Sequence, residues 1–272
     1  MALSSINING VNIYYELKGK QEGKEAVVFL NGLMSSVSGW GQQVPPFEKA
    51  GYKILLHDFR GQLLSAKPVE PYTFTQHALD LKELLIQLGI ERIHIVSTSY
   101  GALVGMRFVL DFPSYVQSLA MIDAFSELDS TFQWIADAWL ETLKEGDMAK
   151  LFRAAVPTIY SNFFLENNRE SLREREAMMS KAPGDFVESL ERLINNTLTN
   201  ARITAELSNI KCPVLLVVGE YDQLTPLKFS KLIHKQIPHA EFVIVPECGH
   251  TTIYEKPDVV NSMTLGFISK YT

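Results

Sequence analysis

Ser99, Asp222 and His250 are the residues whose types and spacing could do chemistry together in this chain. A serine hydroxyl becomes a nucleophile when a histidine takes its proton. The histidine in turn needs an acid to hold its ring and stabilise its cation. Each of the three follows an apolar run that reads as a strand. Ile93, Ile95 and Val96 lead into Ser97-Thr98-Ser99-Tyr100-Gly101, and a helical pattern begins at once, from Ala102 to about Leu110. Strand, sharp turn and helix lift a serine above the carboxyl end of a sheet, where strand and helix backbones nearly touch. The positions two before and two after the serine must therefore be small. Gly101 meets that demand, and Ser97 is small enough.

The acid and the base have the same setting. Pro213 to Val218 is fully apolar, as expected of a parallel strand buried on both faces, and Asp222 lies just past its carboxyl end. A helix near Leu227 to Gln236 and a strand, Glu241 to Val245, follow, and then Cys248-Gly249-His250. In open α/β sheets ligand chemistry gathers at the carboxyl ends of strands. Asp123 is a rival acid, because it follows the strand Val116 to Ile122. Acyl transfer also places negative charge on a carbonyl oxygen, which fixed backbone N–H groups stabilise. The candidates for this oxyanion hole are Tyr100, next to the serine, and Leu33, in the loop Asn31-Gly32-Leu33 after the buried strand Ala26 to Leu30. Gly32 is expected to let that loop approach closely.

With these residues in place the chain resembles α/β-hydrolase-fold serine enzymes over nearly its whole length. The resemblance is carried by Asn31-Gly32-Leu33, His57 to Gln62, Ser97 to Gly101, Gly219 to Pro226 and Gly249-His250. It implies an α/β fold with a mostly parallel eight-stranded sheet flanked by helices and a helical cap inserted. Its Gly-x-x-Asp-x-x-Thr-Pro setting favours Asp222 over Asp123 as the acid. The resemblance implies a Ser-His-Asp triad that cleaves a carboxylic ester, thioester or lactone through an acyl-enzyme. An acyltransferase of the 3-hydroxyacyl type would use the same triad, and a non-enzymatic receptor is the third reading. Three positions depart from the usual pattern: Asn31 where histidine is common, Gln62 where the histidine of Asp-x-Arg-Gly-His-Gly-x-Ser is common, and Ser97 where glycine is usual. Asn31-Gly32 resembles enol-lactonases and 3-hydroxyacyl transferases.

The elements that must position these residues are legible in outline. Asn9-Gly10 between two alternating segments, Ser5 to Ile8 and Val11 to Leu17, predicts a hairpin. Lys53 to His57 reads as a strand and Thr75 to Leu88 as an amphipathic helix. Between Ser126 and Ser208 strand patterning stops, and four helices are expected: 132–145, 148–155, 169–181 and 185–195. The chain thus divides into a core, 1–125 with 209–272, and a cap, 126–208. The cap's aromatic residues are expected to form mainly its own interior, with an apolar pocket between cap and sheet. Trp134 and Trp139 are five apart on one helix and diverge by about 140°. One is expected inside the cap, the other toward pocket or solvent. Arg169 to Glu176 is charge-dense and reads as a solvated face of paired charges around Arg173, not as a substrate clamp.

Composition narrows the partners. The 272 residues are 46% hydrophobic and 21% charged, with a net charge of −6. That balance argues against nucleic acid, which needs clustered Lys and Arg. No apolar run is long enough for a membrane span, and Met1 to Gly10 lacks a basic-then-apolar signal, so a cytoplasmic location is expected. Cys212 precedes one strand and Cys248 follows the next, which predicts two reduced thiols at opposite ends of a parallel pair. No His or Cys pair has metal-ligand spacing, so neither a metal nor a cofactor is expected. The expected partner is a small hydrophobic ester, thioester or lactone.

Overall fold

A computed structural model describes residues 4–69 and 72–272. Eight strands form one sheet: β1 (Ser5–Ile8), β2 (Val11–Gly19), β3 (Glu25–Leu30), β4 (Lys53–His57), β5 (Arg92–Thr98), β6 (Val116–Ile122), β7 (Val214–Gly219) and β8 (Glu241–Val245). Their order is β1-β2-β4-β3-β5-β6-β7-β8. Only β1 with β2 and β2 with β4 are antiparallel; the remaining pairs are parallel. The hairpin turns at Asn9 and Gly10, both at positive φ (49° and 80°), as a tight two-residue connection requires.

Register decides where the chemistry can lie. Leu30 pairs with Ser97, Thr98 with Ile122, and Gly219 with Val245. Strands β3, β5, β6, β7 and β8 therefore end along one edge of the sheet. The loops carrying Leu33, Ser99, Asp123, Asp222 and His250 all leave from that edge.

Helices cover both faces. On the core side are α1 (Val44–Lys49), α2 (Phe74–Gln87), α3 (Tyr100–Asp111), α9 (Leu227–Gln236), α10 (Thr252–Glu255) and α11 (Pro257–Ile268). Alternate side chains of each strand enter opposite layers. Val28, Leu30 and Ile95 join α2 and α3, whereas Val27, Phe29 and Val96 join Trp40, Phe47 and Phe267. Burying each such side chain stabilises by about 1.5–3 kcal/mol before entropy is counted.

Between β6 and β7 the insertion holds five helices: α4 (Ser130–Leu143), α5 (Met148–Ile159), α6 (Asn162–Asn167), α7 (Arg169–Met179) and α8 (Gly184–Asn200). The four-helix expectation missed α6, whose six residues are too short for a periodic signal. Its start is capped by Ser161, which accepts from the Phe164 amide, as Asp129 does from Phe132 and Asp147 from Lys150. The cap's buried residues are continuous with the sheet's core through Phe132, Trp139, Leu151, Phe186 and Leu190. The insertion thus shares one apolar layer with the sheet instead of closing on its own interior.

Candidate active site

Ser99 sits between β5 and α3 with φ 51° and ψ −116°, a conformation that costs a non-glycine residue about 1–3 kcal/mol. The turn is tight enough that a Cβ on Gly101 would lie 2.3 Å from the Leu30 carbonyl oxygen. Only glycine fits there. Ser97, in place of a glycine, is buried, and its hydroxyl donates to the Ala120 carbonyl at 3.0 Å.

The three candidate residues meet. His250 Nε2 accepts from Ser99 Oγ at 2.9 Å, and His250 Nδ1 donates to Asp222 Oδ2 at 2.9 Å. Asp222 Oδ1 accepts from the amides of Leu224 and Thr225, and Thr225 Oγ1 donates to Oδ2 at 2.8 Å. The carboxylate is thus fixed by its own loop, and the ring tautomer by the carboxylate. Burial alone would depress the His250 pKa. The carboxylates of Asp222, Asp123 and Glu255 outweigh it and hold the pKa above the ordinary histidine value.

Asp123 makes no hydrogen bond or ion pair with His250, whose ring is held by Asp222. Asp123 accepts from the Gly219 amide, the Thr252 amide and Thr252 Oγ1, at 3.1, 3.1 and 2.7 Å. Burial, then the nearby Asp222 charge, pushes its pKa up to about 8. Asp123 is thus a buried brace between the β7 and His250 loops. Cys248 is also buried, and desolvation pushes its thiol well above the ordinary range. A thiol kept protonated is a poor nucleophile. Both cysteines are free.

Tyr100 and Leu33 both border the cavity that contains Ser99, and neither backbone amide donates to another described residue. Tyr100 opens α3, where the first N–H groups have no partner inside the helix. Its side chain is buried: the hydroxyl donates to His77 Nε2 at 2.8 Å and accepts from Asn196 Nδ2 of α8 at 2.9 Å. Burial lowers the His77 pKa to about 3, so the ring is neutral and can accept. Gly32 differs from expectation. A Cβ there would stand 3.7 Å from Thr98 Cγ2, an ordinary contact, so close approach does not explain this glycine.

The Leu33 loop is held from behind by a network that includes two of the departures, Asn31 and Gln62. Asn31 Nδ2 donates to Gln62 Oε1 at 2.9 Å and to the His57 carbonyl at 2.9 Å, while Asn31 Oδ1 accepts from Trp40 Nε1 at 2.8 Å. Gln62 Nε2 donates to the Gly32 carbonyl at 2.9 Å. Asp58 accepts from the Val37 and Leu64 amides; burial nevertheless raises its pKa to about 6.

Other residues missed by sequence reasoning join the cap to the histidine loop. Glu255 accepts from the amides of Gly249 and Ser161 at 3.1 Å each, and from Ser161 Oγ at 2.5 Å. The Thr251 amide donates to the Ile159 carbonyl at 3.0 Å. A Cβ on Gly249 would lie 2.6 Å from the Ser161 nitrogen, and one on Gly219 would lie 2.1 Å from the Gly249 oxygen. Nothing in the sequence marks these contacts, because they join segments far apart along the chain.

Above Ser99 lies a cavity of about 560 Å³ between sheet and cap, walled by Leu33, Phe132, Trp139, Phe152, Ile159 and Phe186 among others. Several aromatic residues expected to fill the cap's own interior therefore face this space. Trp139 is buried and lines the cavity, whereas Trp134 is 77% exposed, so neither tryptophan is enclosed in a separate cap interior. The charge-dense helix also differs from expectation. Among the described residues Arg173 makes no ion pair with Glu170 or Glu174; Arg153 pairs with Glu176 at 3.1 Å, and Arg175 turns into the cavity wall.

A buried strand–serine–helix turn, a histidine bridging serine and carboxylate, and a capped apolar cavity define an enzyme of the serine-hydrolase type. Residues 25–257 match the alpha/beta hydrolase fold family, and the chain belongs to that family. MGS-M2, an alpha/beta hydrolase enzyme from a Medee basin deep-sea metagenome library, superimposes with a TM-score of 0.93. It is 30% identical, and the match covers 98% of this chain and 97% of MGS-M2. Est816, an N-acyl homoserine lactone degrading enzyme, is 25% identical with a TM-score of 0.81, over 97% of this chain and 100% of its own. RutD of Caulobacter sp. (strain K31), provisionally named a carbamate hydrolase, is 26% identical over 94% of this chain and 96% of its own length. No described helix is long and apolar enough to cross a membrane.

Proposed function

We propose that this chain cleaves a carboxylic ester, thioester or lactone through an acyl-enzyme on Ser99. The observation that carries the reading is the Ser99–His250–Asp222 hydrogen-bond relay at the floor of an apolar cavity. His250 Nε2 takes the Ser99 proton as Oγ attacks the carbonyl carbon. The Tyr100 and Leu33 amides face the developing oxyanion. His250, now a cation beside Asp222, gives its proton to the leaving alcohol, thiol or ring oxygen. Water, activated by the same ring, then attacks the acyl-enzyme and frees the acid and Ser99.

Residues 126–208 form the cap in this reading, and 1–125 with 209–272 the catalytic core. The cavity's aromatic and aliphatic wall suits a hydrophobic acyl group. The lactone degraded by Est816 supports a cyclic ester within that range. The reading includes a cytoplasmic setting, supported by two unpaired cysteines, which suit a reducing compartment.

Turnover of short and medium esters and lactones tests this function, measured in water and with added alcohol or thiol acceptors. Turnover in water, lost in Ser99→Ala, is the expected result. Turnover only with an acceptor would make the chain an acyltransferase. One stoichiometric burst with no second turnover would make it a receptor.

A further inference from the structure

We propose that the substrate carries a carboxylate and that Arg175 anchors it. The inference rests on the hydrolase reading above and narrows its substrate class.

Arg175 is half-buried on α7 and borders the cavity that contains Ser99. Its guanidinium lies over the Tyr254 ring, 4.3 Å from the centroid, and Nη1 donates to the Tyr160 hydroxyl at 2.9 Å. Those two contacts fix the plane of the group and leave most of its five N–H donors without a partner among the described residues. No carboxylate among the described residues forms an ion pair with it. Its helix neighbour Glu176 pairs with Arg153 instead. Glu255, which borders an adjoining cavity with Arg175, directs its oxygens to Ser161, Gly249 and Thr251.

The charge around the cavity points the same way. The chain carries 31 acidic and 25 basic residues, yet among the described residues no Asp or Glu lines this cavity, while Arg175 and Lys181 do. A positive wall in a net-negative protein complements an anion. A fixed, planar, hydrogen-bonding cation suits a carboxylate in particular, which it can take through two parallel N–H bonds. Aromatic surface at its back lowers the local dielectric and strengthens the pairing. The substrate class is therefore an ester or lactone whose acyl chain ends in a carboxylate, such as the half-ester of a dicarboxylic acid.

Matched pairs test this. Monomethyl succinate, glutarate, adipate and pimelate are compared with methyl butyrate, pentanoate, hexanoate and heptanoate, where a methyl group replaces the carboxylate. Acid release is followed by pH-stat. Without a cationic partner the methyl-ended esters must win, because burying a lone carboxylate is costly. The expected result is that at least one half-ester exceeds its counterpart tenfold or more in kcat/KM, through KM. Arg175→Gln should lower that ratio at least tenfold, and Arg175→Lys should retain part of it. The proposal is overturned if the methyl-ended ester wins in every pair, or if the ratio survives Arg175→Gln. The same pairs are titrated into Ser99→Ala by calorimetry. A carboxylate preference in binding with no turnover by the wild type would keep the anchor and remove the serine mechanism. Turnover with no preference in either assay would do the reverse.

Discussion

Asn31 and Gln62 meet side chain to side chain at 2.9 Å, so two positions where this chain departs from the usual family residues are partners of each other. Together they connect the Gly32 carbonyl, the Trp40 indole and the His57 carbonyl behind the Leu33 loop. A polar network buried this deeply stands or falls as a unit. Asn31→Ala would strand Trp40 Nε1 and should cost about 1–3 kcal/mol. A double-mutant cycle with Gln62→Ala should return a coupling of about 0.5–3 kcal/mol by denaturant unfolding. Strict additivity would mean that the pair is not energetically linked.

Replacement of Ser99 separates chemistry from strain. Ser99→Ala should abolish ester turnover with little change in Tm. Ser99→Gly should also be inactive yet more stable, by up to about 1–3 kcal/mol, because glycine accepts φ 51° without cost. Thermal melts of the three proteins check this. A wild type as stable as Ser99→Gly would show that the turn stores no strain.

The two aspartates should behave differently. Asp222→Asn should lower kcat by about four orders of magnitude, since an amide favours the wrong ring tautomer. Asp123→Asn should keep kcat within about tenfold but lower stability by about 1–3 kcal/mol, because one oxygen cannot accept from Gly219, Thr252 N and Thr252 Oγ1 together. Steady-state kinetics and unfolding curves on both variants decide it, and a reversed ranking in kcat would assign the acid to Asp123.

Activity should fall on the acid side as His250 gains a proton, because only the neutral ring can accept from Ser99. The neighbouring carboxylates raise the His250 pKa, so the acid limb of the kcat/KM profile should have its midpoint above 6.5, the ordinary histidine value. Glu255→Gln removes one of those charges and should move the midpoint toward lower pH. A midpoint that stays put would show that Glu255 does not act on the ring's charge.

Trp139→Ala should cost about 3–5 kcal/mol and also broaden the accepted acyl length, since the same ring fills the core and walls the cavity. Trp134→Ala, at an exposed position, should change stability by no more than about 0.5 kcal/mol. Melting temperatures and chain-length series on both variants provide the check.

Legibility in the sequence followed the range of the forces involved. The strands were plain because β3, β5 and β7 are buried on both faces and their residues carry no alternation to misread. Ser99, Asp222 and His250 were plain because each needs only a strand end and a turn, both local. What could not be read was long-range: Thr225 bonded to Asp222, Asn196 reaching Tyr100, and Glu255 clasping Ser161. Which way Arg175 and the two tryptophans face was likewise hidden, because helical spacing gives relative angles and not the direction of the cavity.

Gly219, Gly249 and Ser161 stack backbone on backbone, from the end of β7 through the His250 loop to the N-cap of α6. Between Gly219 and Gly249 only backbone lies in the way, and the Glu255 carboxylate ties the Gly249 and Ser161 amides together, so little slack can take up a displacement. The stack works as a fixed ruler. A cap that shifts by an ångström at Ser161 hands that ångström to Gly249 and on to Gly219, the residues next to His250 and three before Asp222. Residues 159–161 set a length that the catalytic loops cannot change alone.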